Sequence, residues 1–188
     1  MTRADAVAQV AAAAGARSLV VACNGMIGRE LYTRADAPTR FYMIGSMGLA
    51  SSIGLGLALV QPSRTVVVFD GDGNVLMNLG GVASVAAARP ANFHHVIFDN
   101  AAHGSTGNQR TISDRVALES IARAAGYRAC RRVSSEGELA DALGSWFGTE
   151  GPSMLLVAVD RGNVAGIGRV ELSPAELTSR FRASVSAA

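Results

Sequence analysis

The chain has 188 residues, 49% hydrophobic, 17% charged and 5% aromatic, with a formal net charge of +2 and a mean hydropathy of +0.25. That is enough for one well-buried domain over residues 1–188, and apolar enough to suggest burial against another subunit as well. The arginines are scattered apart from Arg131-Arg132, which reads as a solvated strand edge, so a nucleic-acid surface is excluded.

Residues 3–14 are alanine-rich and helical, with Arg3 and Asp5 near the start and no signal-peptide core of large apolar residues. Ser18–Cys23 reads as a strand, Met26–Thr33 as a short helix and Arg40–Met43 as a strand. Phe41 to Ser63 has no charged residue and is long enough to span a bilayer. Its four glycines, its serines and Pro62 argue instead for a helix, Ser46–Val60, buried in a large core or interface. Thr65–Asp70 is a strand, Val75–Ala88 a helix ended by Arg89-Pro90, and Phe93–Asp99 a strand. A glycine-rich loop fills Asn100–Arg110, followed by a helix over Arg115–Ala125 that Gly126 closes. Tyr127–Val133 is a strand; Ser135-Glu136-Gly137-Glu138 has capping-box spacing and opens a helix to Phe147. Ser153–Val159 is the last strand, and Ser173-Pro174 opens the last helix. Such alternation predicts an α/β fold, an open, mostly parallel sheet with helices on both faces, with no linker that would divide two domains. Cys23 and Cys130 have neither metal-binding nor disulfide-framework spacing, and read as small buried hydrophobes in a cytoplasmic protein.

Two strands end in polar motifs. Thr65–Asp70 runs into Gly71-Asp72-Gly73, and after twenty-five intervening residues the next strand ends in Asp99-Asn100. Ligands of open parallel sheets bind outside the carboxyl ends of the strands. A carboxylate and a carboxamide at adjacent strand ends are hard oxygen ligands of the kind that suit Mg²⁺, which keeps phosphate oxygens and water in its shell. The glycines let backbone N–H groups approach a diphosphate. An EF-hand loop starting at Asp70 would need Gly and a carboxylate where Val75 and Gly81 stand. A haloacid-type phosphatase would use Asp70 and Asp72, but normally needs a downstream lysine, and the chain has none.

The Gly-Asp-Gly and Asp99-Asn100 pair resembles the diphosphate-binding fingerprint of thiamine-diphosphate enzymes, over about Ser18 to Val159. The loop from Asp99 through His103-Gly104-Ser105-Thr106 to Gln109 looks like that of sulfopyruvate and phosphonopyruvate decarboxylases, nearer the former. The family usually has Asn where Asp99 stands, which leaves the ligand position at Asn100 intact. The resemblance implies a thiamine-diphosphate-binding fold of the diphosphate type. Its metal ligands would be Asp72, Asn100 and the carbonyl of Ala102. Asn24 and Gly25, at a strand-to-helix turn, would meet the terminal phosphate, and Gly71, Gly73 and Asn74 the diphosphate. In Gly45-Ser46-Met47, Met47 would wedge the cofactor into its V shape, and the Gly45 carbonyl would accept from the pyrimidine amino group. His103 could bind phosphate or substrate, relay a proton, or be a solvated loop histidine; His94 and His95 read as structural. Arg110 is a candidate for a sulfonate or phosphonate tail, and Arg29-Glu30 reads as a solvated or interface pair. Asn74's side chain is expected to matter less than Gly73's lack of one.

The resemblance also implies a missing part. These enzymes activate the cofactor with a glutamate on a second α/β domain, for which this length leaves no room. The expectation is a β subunit of a hetero-oligomeric 2-oxo-acid decarboxylase, using thiamine diphosphate and Mg²⁺, with the glutamate on a separate α subunit. The preferred substrate is 3-sulfopyruvate, with phosphonopyruvate or another small 2-oxo acid as alternatives. A non-catalytic cofactor-binding or assembly subunit is the alternative of another class.

Overall fold

The computed structural model describes residues 1–186. Its elements are α1 (Arg3–Ala14), β1 (Leu19–Ala22), α2 (Met26–Ala35), β2 (Arg40–Tyr42), α3 (Ala50–Val60), β3 (Val66–Gly71), α4 (Asp72–Met77), α5 (Leu79–Ala88) and β4 (Phe93–Asp99). There follow β5 (Ala102–His103), β6 (Gln109–Arg110), α6 (Leu118–Ala125), β7 (Ala129–Val133), α7 (Glu136–Leu143), β8 (Ser153–Ala158) and α8 (Pro174–Ser186).

Six strands form one parallel sheet in the order β2-β1-β3-β4-β8-β7. Every residue of β3 and β4 is buried, as expected of valine- and phenylalanine-rich strands covered on both faces. From β1 the chain moves outward to β2, then returns past β1 to β3. The loops leaving β1 and β3 therefore depart in opposite directions, which opens a crevice at the strand ends. The β3–β4 register pairs Gly71 with Phe98, so Asp72 and Asn100 leave adjacent strands at nearly the same height.

Several boundaries differ from expectation. The helix predicted over Val75–Ala88 is two helices, broken at Asn78 (φ −145°, ψ 65°), whose side chain caps α5 by accepting from the Gly81 N–H. The helix predicted from Ser46 begins at Ala50, because Ser46 (φ 59°) and Gly48 (φ 88°) hold left-handed conformations that no α-helix accepts. Residues 100–110 include the short antiparallel pair β5–β6. The helices predicted to begin at Arg115 and to end at Phe147 are shorter, and Trp146–Gly148 is a separate 3₁₀ turn. α3 is not buried all round: Gly54 and Ala58 face the sheet, while Leu59 and Val60 are exposed. Gly54 sits so close that a Cβ would fall 2.3 Å from the Val68 side chain. Cys23 is buried as expected, but Cys130 is only half-buried, because β7 is an edge strand. Arg131 and Arg132 on that edge are exposed. No helix among the described residues is long and apolar enough to cross a membrane.

Candidate functional site

The ends of β1, β3 and β4 and the loop after β4 enclose a cavity of about 50 Å³. Asn24, Gly25, Met47, Gly71, Asp72, Gly73, Asn74, Asn100, Ala102 and His103 all line it, so the structure brings together most of the residues singled out in the sequence. Gly45 and Ser46 are exposed and lie outside that lining.

Asp72 is 2% exposed. Its carboxylate accepts from Thr111 Oγ1 at 2.5 Å and from Ser113 Oγ at 3.3 Å, and Ser113 Oγ also lies 2.7 Å from Asp99 Oδ1. Burial pushes the Asp72 carboxyl up from its ordinary value; the Thr111 bond counters this, and the nearby Asp99 charge adds to it. Arg132, 3.8 Å from Asp99, supplies the nearest compensating charge. Two buried carboxylates bridged by a hydroxyl favour occupation by a cation. Thr111 and Ser113 were missed in the sequence, where two more small polar residues past a loop carry no signal.

Asn100 Oδ1 accepts from the Ala102 N–H at 3.1 Å, and Ala101 between them takes a left-handed conformation (φ 52°). That tight turn sets the carboxamide and the Ala102 backbone side by side. No group of three His, Cys, Asp or Glu side chains suited to a metal occurs among the described residues. The cavity and its surroundings thus offer, beside Asp72, a carboxamide, a carbonyl, hydroxyls and the Asp99 carboxylate, an all-oxygen donor set that fits Mg²⁺ rather than Zn²⁺. Asn24 Oδ1 and Asn100 Nδ2 are buried with no hydrogen-bond partner. Unsatisfied polar atoms lining a cavity fit a site shaped for a polar ligand.

His103 lies over Gly73, where a Cβ would come within 2.5–2.6 Å of the imidazole. Glycine at 73 is thus needed for the close approach of this loop. Asn74 does more than expected: its Oδ1 accepts from the Gly48 N–H at 2.9 Å, and Asn78 Nδ2 donates to the Gly48 carbonyl at 2.9 Å. These two side chains clasp the peptide that follows Met47. Asn78 was also missed, since only the break between α4 and α5 gives it a reason to turn inward.

Glu30 corrects an expectation. It is fully buried and receives Arg3 Nε at 2.8 Å and Nη2 at 2.9 Å, so it is neither solvated nor paired with Arg29. Arg110 is exposed and paired with Asp114, outside the cavity. His94 and His95 are buried, against Ser153 Oγ (2.8 Å) and Asp70 Oδ2 (3.2 Å), and hold strands together as expected.

Residues 20–157 match the model of the family described as thiamine pyrophosphate enzyme, C-terminal TPP binding domain. The chain belongs to this family. The haloacid-type and EF-hand readings of Asp70-Gly71-Asp72 fall with that finding. A phosphonopyruvate decarboxylase from Streptomyces viridochromogenes is 48% identical over 167 residues, which cover 89% of this chain and 42% of that protein. A sulfopyruvate decarboxylase subunit beta from Methanothermobacter thermautotrophicus is 44% identical over 163 residues, covering 86% of this chain and 84% of that one. The chain spans less than half the length of the phosphonopyruvate decarboxylases it matches. Among solved structures, the thiamine diphosphate-dependent 4-hydroxybenzoylformate decarboxylase of Rhodococcus jostii superposes with a TM-score of 0.71 at 17% identity, covering 87% of this chain and 33% of that one. At that identity the likeness speaks for the fold. The TPP-binding domain thus has its expected architecture, and the lined cavity lies at the strand ends where such a fold binds ligands.

Proposed function

We propose that this TPP-binding domain is the diphosphate-binding β subunit of a cytoplasmic, thiamine diphosphate- and Mg²⁺-dependent 2-oxo-acid decarboxylase, and that residues 1–188 act as one such domain. The carrying observation is the convergence on one cavity of Asp72, Asn100 and Ala102 with Asn24, Gly71 and Gly73. Asp72, Asn100 and the Ala102 carbonyl would hold Mg²⁺. Asn24, Gly25, Gly71, Gly73 and Asn74 would meet the diphosphate. Gly45 and Met47 would meet the rings, with Ser46 in the turn between them. When bound, the cofactor supplies the electron sink for decarboxylation. The chain's own contribution is to anchor it, keep the rings in register and shield the reacting carbon from water. His103, in the cavity wall over Gly73, can hold or pass a proton.

The preferred reaction is 3-sulfopyruvate to sulfoacetaldehyde and CO₂, supported by the match to most of a subunit of that name. Phosphonopyruvate is the second reading, favoured by the 48% identity to a decarboxylase of that name. On the two-subunit reading, an α subunit bears the pyrimidine-binding domain and its activating glutamate. The test is co-expression with such a partner and a CO₂-release assay over a panel of 2-oxo acids, with and without Mg²⁺. Turnover of either acid only when both chains are present is the expected result. Decarboxylation by this chain alone at about 1 s⁻¹ or faster would overturn the two-subunit reading.

A further inference from the structure

Arg3 lies on α1, far in sequence from both fingerprint motifs, yet it lines the same cavity. Its guanidinium is 5% exposed and held rigidly: Nε and Nη2 bond Glu30, and Nη2 also reaches Asn163 Oδ1 at 2.8 Å. Nη1 has no hydrogen-bond partner among the described residues. It lies 3.3 Å from the point where a Gly104 Cβ would stand, and the unpartnered Nδ2 of Asn100 lies 3.7 Å from that same point; the acceptor there, Asn163 Oδ1 at 3.4 Å, is already bonded to Arg3 Nη2. Two donors without a hydrogen-bond partner, Arg3 Nη1 and the buried Asn100 Nδ2, thus face the space over Gly104, which has no side chain to fill it. Donors so placed, one of them cationic, match a tetrahedral oxyanion. Arg3 is the only arginine in the cavity lining, and the chain has no lysine. A diphosphate keeps net negative charge after one Mg²⁺ binds, so the site calls for a further cation.

We infer that Arg3, oriented by Glu30, is a diphosphate-binding residue whose Nη1 donates to the phosphate end of the cofactor. The inference rests on the cofactor reading proposed above. Glu30 and Asn163 are positioning residues: they fix the guanidinium and leave one edge free. The same network ties α1 to α2, and Asn163 Nδ2 donates to the Gly104 carbonyl at 3.1 Å, so seating Arg3 also steadies the loop.

The test uses the full chain and Mg²⁺ with inorganic pyrophosphate as the probe, titrated by ³¹P NMR, with thermal melts to establish that each variant is folded. Arg3→Met with Glu30→Met removes both charges together, so neither is left unpaired in the interior. It should weaken pyrophosphate binding about ten- to a hundredfold, the range for a charge-assisted hydrogen bond. Arg3→Gln, which can still bond Glu30, should weaken it similarly. Glu30→Gln loosens the seat of the guanidinium but keeps its charge in the cavity, and should weaken binding clearly less than either Arg3 variant. A purely structural pair would lower binding in all three variants alike, and that result overturns the inference. Wild-type binding by the Met/Met variant overturns it too, while leaving the cofactor reading intact. Absence of Mg²⁺-pyrophosphate binding by the wild-type chain overturns both.

Discussion

Asp72→Asn should make the empty protein more stable and remove its ability to be stabilised by cofactor. Ser113 Oγ is 3.3 Å from Asp72 Oδ2 and 2.7 Å from Asp99 Oδ1, so the two carboxylate oxygens are at most about 6 Å apart. At that distance and an effective dielectric of 20, two unit charges repel by about 3 kcal/mol. Arg132 offsets part of this through Asp99. Asparagine keeps the shape and can accept from Thr111 as the carboxylate does. The net gain should be about 1–2 kcal/mol, a rise of about 2–8 °C in Tm for a chain of this size. In the wild type, Mg²⁺ and thiamine diphosphate at a hundred times Kd should add about 2.7 kcal/mol. The variant should show none of that addition, because its ligand oxygen carries no charge. Differential scanning fluorimetry with and without Mg²⁺-thiamine diphosphate reads both effects. An equal cofactor-induced shift in variant and wild type would refute the metal assignment. A lower Tm for the empty variant would refute the picture of two carboxylates in net repulsion.

Met47→Ala should lower kcat by about tenfold or more while changing cofactor affinity little, since the anchors remain and only ring alignment is lost; equal turnover at saturating cofactor in the assembled enzyme would count against the wedge. Burial pulls the His94 imidazole down to about 4, below the unfolded value of about 6.5. The unfolded chain takes up that proton first as pH falls, so the stability is full above pH 6.5 and declines by about 3 kcal/mol toward pH 4. His94→Phe should flatten the urea midpoint across that window, and parallel wild-type and variant slopes would refute it. Met77→Asp, at a side chain 56% exposed, should shift the isolated chain's stability by less than about 0.5 kcal/mol yet prevent activation by the α partner; full activation of the variant would remove Met77 from the interface.

What the sequence showed plainly was whatever depends on local pattern. Val66–Gly71 and Phe93–Asp99 are unbroken apolar runs ending in small and polar residues, so both strands and the ligands at their ends could be placed before any contact was known. Positions set by long-range partners were not legible. Glu30 follows Arg29 in the chain and looks like a surface pair, but its partner is Arg3, 27 residues away, which only the packing of α1 on α2 reveals. Asn78 breaks a helix that its apolar neighbours would have continued, because Gly48, 30 residues earlier, needs its carbonyl bonded. Thr111 and Ser113 act through a loop that folds back over β3, and nothing in their identity marks that.

Most of these long-range contacts stiffen the strand-end side of the cavity. Glu30 seats Arg3, and Thr111 and Ser113 seat Asp72. On the opposite side the support comes from the hold of Asn74 and Asn78 on Gly48. Gly45 and Ser46 are exposed, and Ile44, Leu49, Met77 and Leu79 stand in solvent around the Gly48 clasp. Exposed large apolar side chains next to a polar cavity are costly to leave wet and suit a surface that something covers. The rigid half fits a diphosphate and a metal, which need fixed donors. The bare half fits rings gripped between two surfaces, one of them built from these residues. On the two-subunit reading, covering that surface and completing the site are one event. Cofactor affinity and subunit affinity should then be thermodynamically linked, each raising the other by the same factor.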